Sequence, residues 1–370
     1  MVGRPRLGIA VSTPAISSVE VANGLREFFA DHPALADLRA SLDAPDAPAW
    51  DTAVWDLLAG QLGVAGLVVP RDYGGIGLGA IAATGACYEA GIGLYPGPLR
   101  STLIAALVLN HATPSTDTAG WMTGFADGEL TATVALDESC VDASVANQML
   151  SGTVRRICDA GGTDLLVVPY ADNRVAVVRT DAPGVVVTPL RSTDPSHRYA
   201  DILFSRVSAV DVIFEAQRLA DVLDMAQLLI AAEAAGGTAG CLLMAADYAR
   251  TRTQFDAPIA TFQAISHRCA ELAVDLEGLR SLVSSGARAA DEGARARLRA
   301  LAPLARAQAS DVFCAAASTL IQVHGGIGFT WEHDAHLYFR RAHTLRHWFG
   351  SPEELREHAL QRRAIDLIRP

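Results

Sequence analysis

Apolar positions follow three successive rhythms along this chain. Through the first third the spacing is helical: Trp55, Leu58 and Leu62 fall on one face of a predicted helix, and Asp51 stands where an N-cap belongs. After Gly63-Val64-Ala65-Gly66-Leu67-Val68-Val69-Pro70, glycines crowd into Tyr73-Gly74-Gly75-Ile76-Gly77-Leu78-Gly79, which reads as tight turns. No βαβ unit surrounds these glycines, so they are not a dinucleotide fingerprint. From about Gly128 to about Ala216 the rhythm shortens to β-branched runs: Thr131 to Leu136, Leu165 to Val168, Val175 to Val178, Val185 to Val187 and Ile202 to Phe204. Turn clusters such as Asp181-Ala182-Pro183-Gly184 separate them, which predicts a compact antiparallel β domain. From Leu219 onward a 3.6-residue period returns over Leu219 to Arg250, Ile265 to Glu292, Ala294 to Val323 and Asp334 to Trp348, lengths suited to a helical bundle. The charged stretch Arg288 to Arg299 is predicted to be a helix–helix turn with solvated faces. The pattern thus predicts an α+β chain with an N-terminal helical domain (1–127), a middle antiparallel β domain (128–216) and a C-terminal helical bundle (217–370).

Composition narrows the function classes. The 370 residues are 50% hydrophobic, enough for a substantial core. No run of ~20 apolar residues is free of charge, so no membrane span is expected. The basic start, Met1-Val2-Gly3-Arg4-Pro5-Arg6, leads into no long apolar segment, and no signal peptide is read. The net charge is -11 without a basic stripe, which disfavours nucleic-acid binding. Six scattered cysteines form no C-x-x-C pair and read as free thiols in a reducing cytoplasm. His343 and His347 are spaced i, i+4, but no glutamate follows the first as a zinc-protease helix requires. His333-Asp334-Ala335-His336 is no stronger as a metal motif, and His324 reads as a structural, hydrogen-bonded group.

The most specific signals lie in the last third: Arg252-Thr253-Gln254-Phe255-Asp256-Ala257-Pro258-Ile259 with Phe262-Gln263, and Gln322-Val323-His324-Gly325-Gly326-Ile327-Gly328-Phe329. Arginine offers a fork of donors suited to a pyrophosphate. Gln263 and Gln322 can donate amide hydrogen bonds, and Gly325 and Gly326 let backbone N–H groups approach phosphate closely. Alone, Arg252 reads as an ordinary surface arginine and the glycines as a helix stop. As a set, in this order, they resemble the flavin-binding signature of the acyl-CoA dehydrogenase family. Trp55, Leu62-Gly63, Gly66-Leu67, Val69-Pro70, Tyr73-Gly74-Gly75 and Tyr88-Glu89, then Leu150-Ser151-Gly152 and Thr163-Asp164-Leu165-Leu166-Val167-Val168-Pro169, extend the resemblance over nearly the whole chain. The resemblance implies FAD as cofactor. It also implies that Arg252, Gln263, Gln322, Gly325 and Gly326, with Phe255 nearby, reach the flavin of a neighbouring subunit.

Family chemistry removes an α-proton from an acyl thioester with a glutamate and sends the β-hydrogen to flavin as hydride. Counting from Gly325-Gly326, the glutamate position falls at Phe349; the alternative position, counted back from Arg252, falls at Ala226. Neither side chain accepts a proton, and a positioned base is worth ~10²–10⁴ in rate. Asp224, Glu233, Glu353 and Glu354 are the carboxylates nearby; Ser351-Pro352 ahead of Glu354 predicts a capping box. Ala135 to Ala143 lacks the Thr, Pro and Gly of the family segment beside the flavin ring, and Asp256 replaces a glycine after Phe255. Kept phosphate contacts and a lost base resemble the non-catalytic subunits of heteromeric acyl-CoA dehydrogenases, such as those of actinobacterial steroid side-chain degradation. The expected partner is a homologous subunit in an α₂β₂ assembly, the substrate a bulky or steroid acyl-CoA, and the electron acceptor an electron-transferring flavoprotein. The alternatives are a self-sufficient homotetramer with Asp224 or Glu233 as base, a flavin monooxygenase or oxidase on the same fold, and a fold relic that binds no flavin.

Overall fold

The computed structural model describes residues 17–43, 50–136, 140–171, 173–214, 218–346 and 348–368. Helices come first: α1 (Ser18–Asp31), α2 (Ala34–Asp43), α3 (Thr52–Trp55), α4 (Ala80–Ile92), α5 (Leu99–Asn110) and α6 (Thr116–Ala126). Side chains start several of them. Ser17 and Glu20 cap α1 reciprocally, and Ser115 and Thr118 do the same for α6. Asp51 caps α3 as expected, accepting from the Ala53 N–H at 2.8 Å. The predicted apolar face then breaks, because α3 runs into a π-helical turn over Asp56–Gln61, closed by Leu62 N–H to Leu57 O. The wider turn leaves Trp55 and Leu58 buried but Leu62 39% exposed.

The strands are β1 (Ala132–Val134), β2 (Val141–Ala146), β3 (Met149–Cys158), β4 (Leu165–Ala171), β5 (Arg174–Arg179), β6 (Val185–Leu190), β7 (Tyr199–Ser208) and β8 (Val210–Ile213). They form two four-stranded sheets, β1-β4-β5-β8 and β2-β3-β7-β6. The expectation of wholly antiparallel pairing fails at one place: β1 pairs with β4 in parallel, because the chain leaves for β2 and β3 in the other sheet before returning. β4 explains its own unbroken apolar run. Leu165 and Val167 face the helical core, while Leu166 and Val168 join Val154, Ile202 and Phe204 between the two sheets.

The remaining elements are α7 (Arg218–Thr251), a hairpin of β9 (Thr253–Gln254) and β10 (Ala257–Pro258), then α8 (Gln263–Asp291), α9 (Arg295–His324), α10 (Ala335–Arg346) and α11 (Pro352–Ile368). α7 lies close to α4: a Cβ on Gly236 would stand 2.0 Å from the Tyr88 carbonyl oxygen. The predicted turn between α8 and α9 is present, but its charges do more than face solvent. Asp291 accepts from the N–H groups of Ala80 and Ile81 at 2.6 and 3.1 Å and so caps α4 from a distance in sequence. Arg295 and Arg299 pair with Asp221. By length and composition α7 and α9 could cross a membrane, but 83% and 56% of their apolar windows are buried inside the fold, as in core helices.

Candidate functional site

Phe349, where the family glutamate is expected, opens onto a cleft. A cavity of about 430 Å³ lies between β3, the β6–β7 connection and the segment after α10, with Val134, Cys158, Tyr199, Thr344, Trp348 and Phe349 in its wall. Phe349 has a left-handed backbone, φ 63°, and its ring lies 4.9 Å from that of Trp348. Ala226 is buried within α7. No carboxylate is among the described residues that line the cleft. Asp137, Glu138 and Ser139, part of the degenerate flavin-ring segment, lie outside the described residues.

Each candidate substitute base has another partner. Arg100 on α5 and Arg341 on α10 both donate to the Glu233 carboxylate. Burial alone would raise the pKa of Glu233, but the two arginines outweigh it and hold the carboxyl well below the usual carboxylate range. A group held that low has almost no proton affinity at neutral pH. Asp224 lies 2.6 Å from Arg362 and ties α11 to α7; burial raises its pKa against that pull. Ser351 and Glu354 form the expected box, the Ser351 N–H reaching Glu354 Oε2 at 2.8 Å.

Sequence spacing does not reveal the rest of the cluster around Glu233. His197 Nδ1 is 3.1 Å from Asp159 Oδ1, and Ser101 Oγ donates to Asp159 Oδ2 at 2.5 Å. Arg341 Nη1 lies 2.6 Å from His197 Nε2, and Arg341 Nε lies 3.0 Å from Asp194 Oδ2. A third buried arginine, Arg306, donates to Ser310 Oγ and to the carbonyls of Leu345 and Trp348, pinning the segment that carries the cleft wall. Burial, aided by Arg100, pulls its guanidinium down to about 10. Arg100, Arg341 and His197 thus meet Asp159, Asp194 and Glu233 in one buried cluster. Cys158, Asp159 and His197 are close enough to share a metal ion. Their hydrogen bonds to Arg100, Ser101 and Arg341, and the two flanking guanidinium charges, oppose a cation there.

The predicted flavin residues form a different surface. Arg252, Phe255, Gln263, Gln322, Gly325 and Gly326 are all exposed. Arg252 follows α7 directly, and its carbonyl accepts from Ile259 N–H across the β9–β10 hairpin. Phe255 and Asp256 at the hairpin tip both have positive φ, 53° and 61°, so Asp256 keeps the turn its residue type permits. Phe255 is 88% exposed and meets Phe262 edge-on, one residue before Gln263. Tyr248, one turn before Arg252, stacks at 4.2 Å on His324, which precedes Gly325. This contact brings the two signature segments together. His324 donates from Nδ1 to the Leu320 carbonyl at 2.9 Å, the structural role expected of it, and burial lowers its pKa. Gly325 has φ 63° and ψ −138°, a conformation for glycine, and no atom lies within 4 Å of a Cβ built on Gly325 or Gly326. Phe329, just beyond, is 83% exposed. His343 packs on Phe339; His347 lies outside the described residues. No disulfide joins the described cysteines.

Residues 217–364 match the family model for the acyl-CoA dehydrogenase C-terminal domain. The chain is 32% identical over 329 residues to acyl-CoA dehydrogenase IpdE2 of Mycobacterium tuberculosis, covering 88% of this chain and 91% of that protein. This chain belongs to the acyl-CoA dehydrogenase family. It is also 36% identical over 317 residues to acyl-CoA dehydrogenase FadE34 of the same organism, covering 86% of this chain but only 43% of that relative's length. Among solved structures it is similar to a variant of the steroid acyl-CoA dehydrogenase Tcur3481-Tcur3483 (TM-score 0.85, 26% identity, 95% and 99% coverage). It is likewise similar to the ChsE4-ChsE5 complex of M. tuberculosis (TM-score 0.83, 25% identity, 97% and 98% coverage). Butyryl-CoA dehydrogenase of Megasphaera elsdenii shares the fold at TM-score 0.83.

Proposed function

We propose that this chain is a subunit of a heteromeric FAD-dependent acyl-CoA dehydrogenase, lacking a base of its own and completing the flavin site of a partner. One observation carries the reading: the cation, amides and open glycine loop suited to a pyrophosphate are exposed on one surface, while the base position in the chain's own cleft holds Phe349. FAD fits that surface on its phosphate side. Arg252 supplies charge, Gln263 and Gln322 supply amide donors, and the unobstructed Gly325-Gly326 backbone gives close approach. The surface is open on its outer side, so another subunit must supply the second wall. Bound FAD supplies the acceptor for a hydride leaving the substrate β-carbon. This chain's residues hold and orient it, and Phe255 and Phe329 shield it from water. The α-proton goes to a carboxylate of the partner.

The steroid substrate and the paired-chain assembly rest on the names of the similar structures and on the FadE34 match, which leaves more than half of that relative's length outside the alignment. We assign the protein to the cytoplasm, with an electron-transferring flavoprotein as acceptor, on family grounds. Domain limits near 127/128 and 216/217 follow the change of element type. The engagement of Glu233 and Asp224 with arginines weighs against a self-sufficient enzyme. The test is the visible spectrum of the chain purified alone and with a co-expressed homologous subunit. Flavin absorbance only in the complex, bleached there by an acyl-CoA, is expected. Flavin held and reduced by the chain alone would overturn the reading, and oxygen consumption by the reduced flavin would favour an oxidase.

A further inference from the structure

The glycine loop is held by more than the two helices it joins. Residues 325–334 connect the end of α9 to the start of α10. The core does little to fix them. Of residues 325–332 only Gly328 is buried, and Ile327, Phe329 and Trp331 are 49%, 83% and 51% exposed. A segment with so little burial takes its shape from polar contacts. Local ones close its near half: Gly325–Phe329 forms a 3₁₀ turn, and Thr330 N–H donates to the Ile327 carbonyl at 3.0 Å. The far half is gripped from outside. Arg39 of α2, 292 residues before Trp331 in the chain, donates from Nη1 to the Trp331 carbonyl at 2.6 Å. From Nε it donates to Asp334 Oδ1 at 2.7 Å. One rigid guanidinium thus fixes two points three residues apart. It also lies 5.9 Å from the centre of the Trp331 ring, on which His336 stacks at 4.7 Å. The gripped half folds back on the near end: the His333 ring meets that of His324, the last residue of α9, at 4.3 Å. A shift at Trp331 or Asp334 is therefore passed to the residue beside Gly325.

We propose that Arg39 is a positioning residue for the phosphate surface: by clamping Trp331 and Asp334 it holds the Gly325-Gly326 backbone in the shape that meets the pyrophosphate. The proposal rests on the reading of that surface as a flavin site. A loop fixed in advance binds more tightly than one that must be ordered on binding. Arg39 acts through the loop rather than on the ligand. The same clamp adds little to the stability of the whole fold, because Arg39 and Asp334 keep 24% and 32% of their side-chain surface in water. Function and stability thus separate at this residue.

The test has two readouts. In the chain alone, amide hydrogen exchange over residues 325–334 should speed up about tenfold or more in R39A, with a denaturation midpoint close to native. In the complex with the homologous subunit, R39A should hold flavin about tenfold more weakly. R39K should fall between R39A and native, because an ammonium lacks the fork that reaches both acceptors. R39A/D334N should be no worse than R39A, because both changes break one contact. Unchanged exchange in R39A would overturn the proposal. So would exchange raised throughout the chain with a lowered midpoint, which would make Arg39 a general tether. Full flavin retention in R39A, where R252A loses its flavin, would overturn it as well. Faster exchange confined to the loop, with flavin held equally by native, R39A and R252A, would confirm the clamp and overturn the flavin reading on which its role rests.

Discussion

At the scale of single residues, the informative positions are those whose chemistry contradicts their neighbourhood. Phe349 occupies a left-handed backbone position at the cleft wall, where a bulky side chain is rare. Glu233 has a carboxylate at the heart of the chain but no freedom to use it. E233Q separates the two roles a carboxylate could have there. It removes one partner from a buried charge cluster, so the folded complex should lose stability, on the order of 3 kcal/mol. The flavin reduction rate of the remaining folded complex should stay within a few-fold of native in stopped-flow measurements. A loss of a hundredfold or more would make Glu233 the base. R252A is expected to do the reverse: unchanged thermal stability of the isolated chain, and a complex that emerges from gel filtration with most of its flavin gone. That Phe349 falls where the family glutamate is expected is legible in the sequence, because it needs only counting from Gly325-Gly326. The charge cluster is not, because Arg100, Asp159, Asp194, His197, Glu233 and Arg341 come from five separate segments and meet only in three dimensions.

At the scale of elements, the sequence is most readable where one period runs long. The four helical runs predicted after Leu219 match α7 to α10 to within a few residues. It is least readable where backbone geometry departs from a regular period. The π turn over Asp56–Gln61 and the bulge at Arg155-Arg156 each insert a residue, and each moves side chains off the face that periodicity assigns. β2 escapes the pattern because Val141–Ala146 alternates small and polar residues with little apolar bulk. The long-range cap is a further case: Asp291 lies in a charged stretch that reads as solvated, yet it closes the start of α4. D291A should cost ~1–2 kcal/mol of stability, the value of an N-cap, measurable as a lower denaturation midpoint with an unchanged slope. A midpoint equal to that of the native chain would mean that water satisfies those two N–H groups equally well.

At the scale of the whole molecule, the buried cluster joins α5, the loops around β3 and β7, α7 and α10. It therefore couples the helical and β regions into one acid-sensitive unit. The carboxyls of Asp159 and Glu233 are held below their ordinary values of 3.8 and 4.5, the arginines and His197 outweighing burial. A depressed pKa adds stability above the unfolded value, and that stability is lost as pH falls toward the folded one. Stability should therefore decline below about pH 4.5, with helix and strand signals lost in a single transition. Separate acid transitions for the two kinds of structure would show that the cluster does not bind the regions together.

The hairpin tip and glycine loop carry a last consequence, one of supply. Phe255 and Phe329 stand almost fully in solvent beside the surface proposed to meet a cofactor and a second chain. A copy made in excess of its counterpart shows chaperones and proteases the same bare aromatic side chains that a misfolded protein does. In the assembly proposed above its lifetime is set by how quickly it is claimed, so the amounts of the two gene products, and of flavin itself, should rise and fall together.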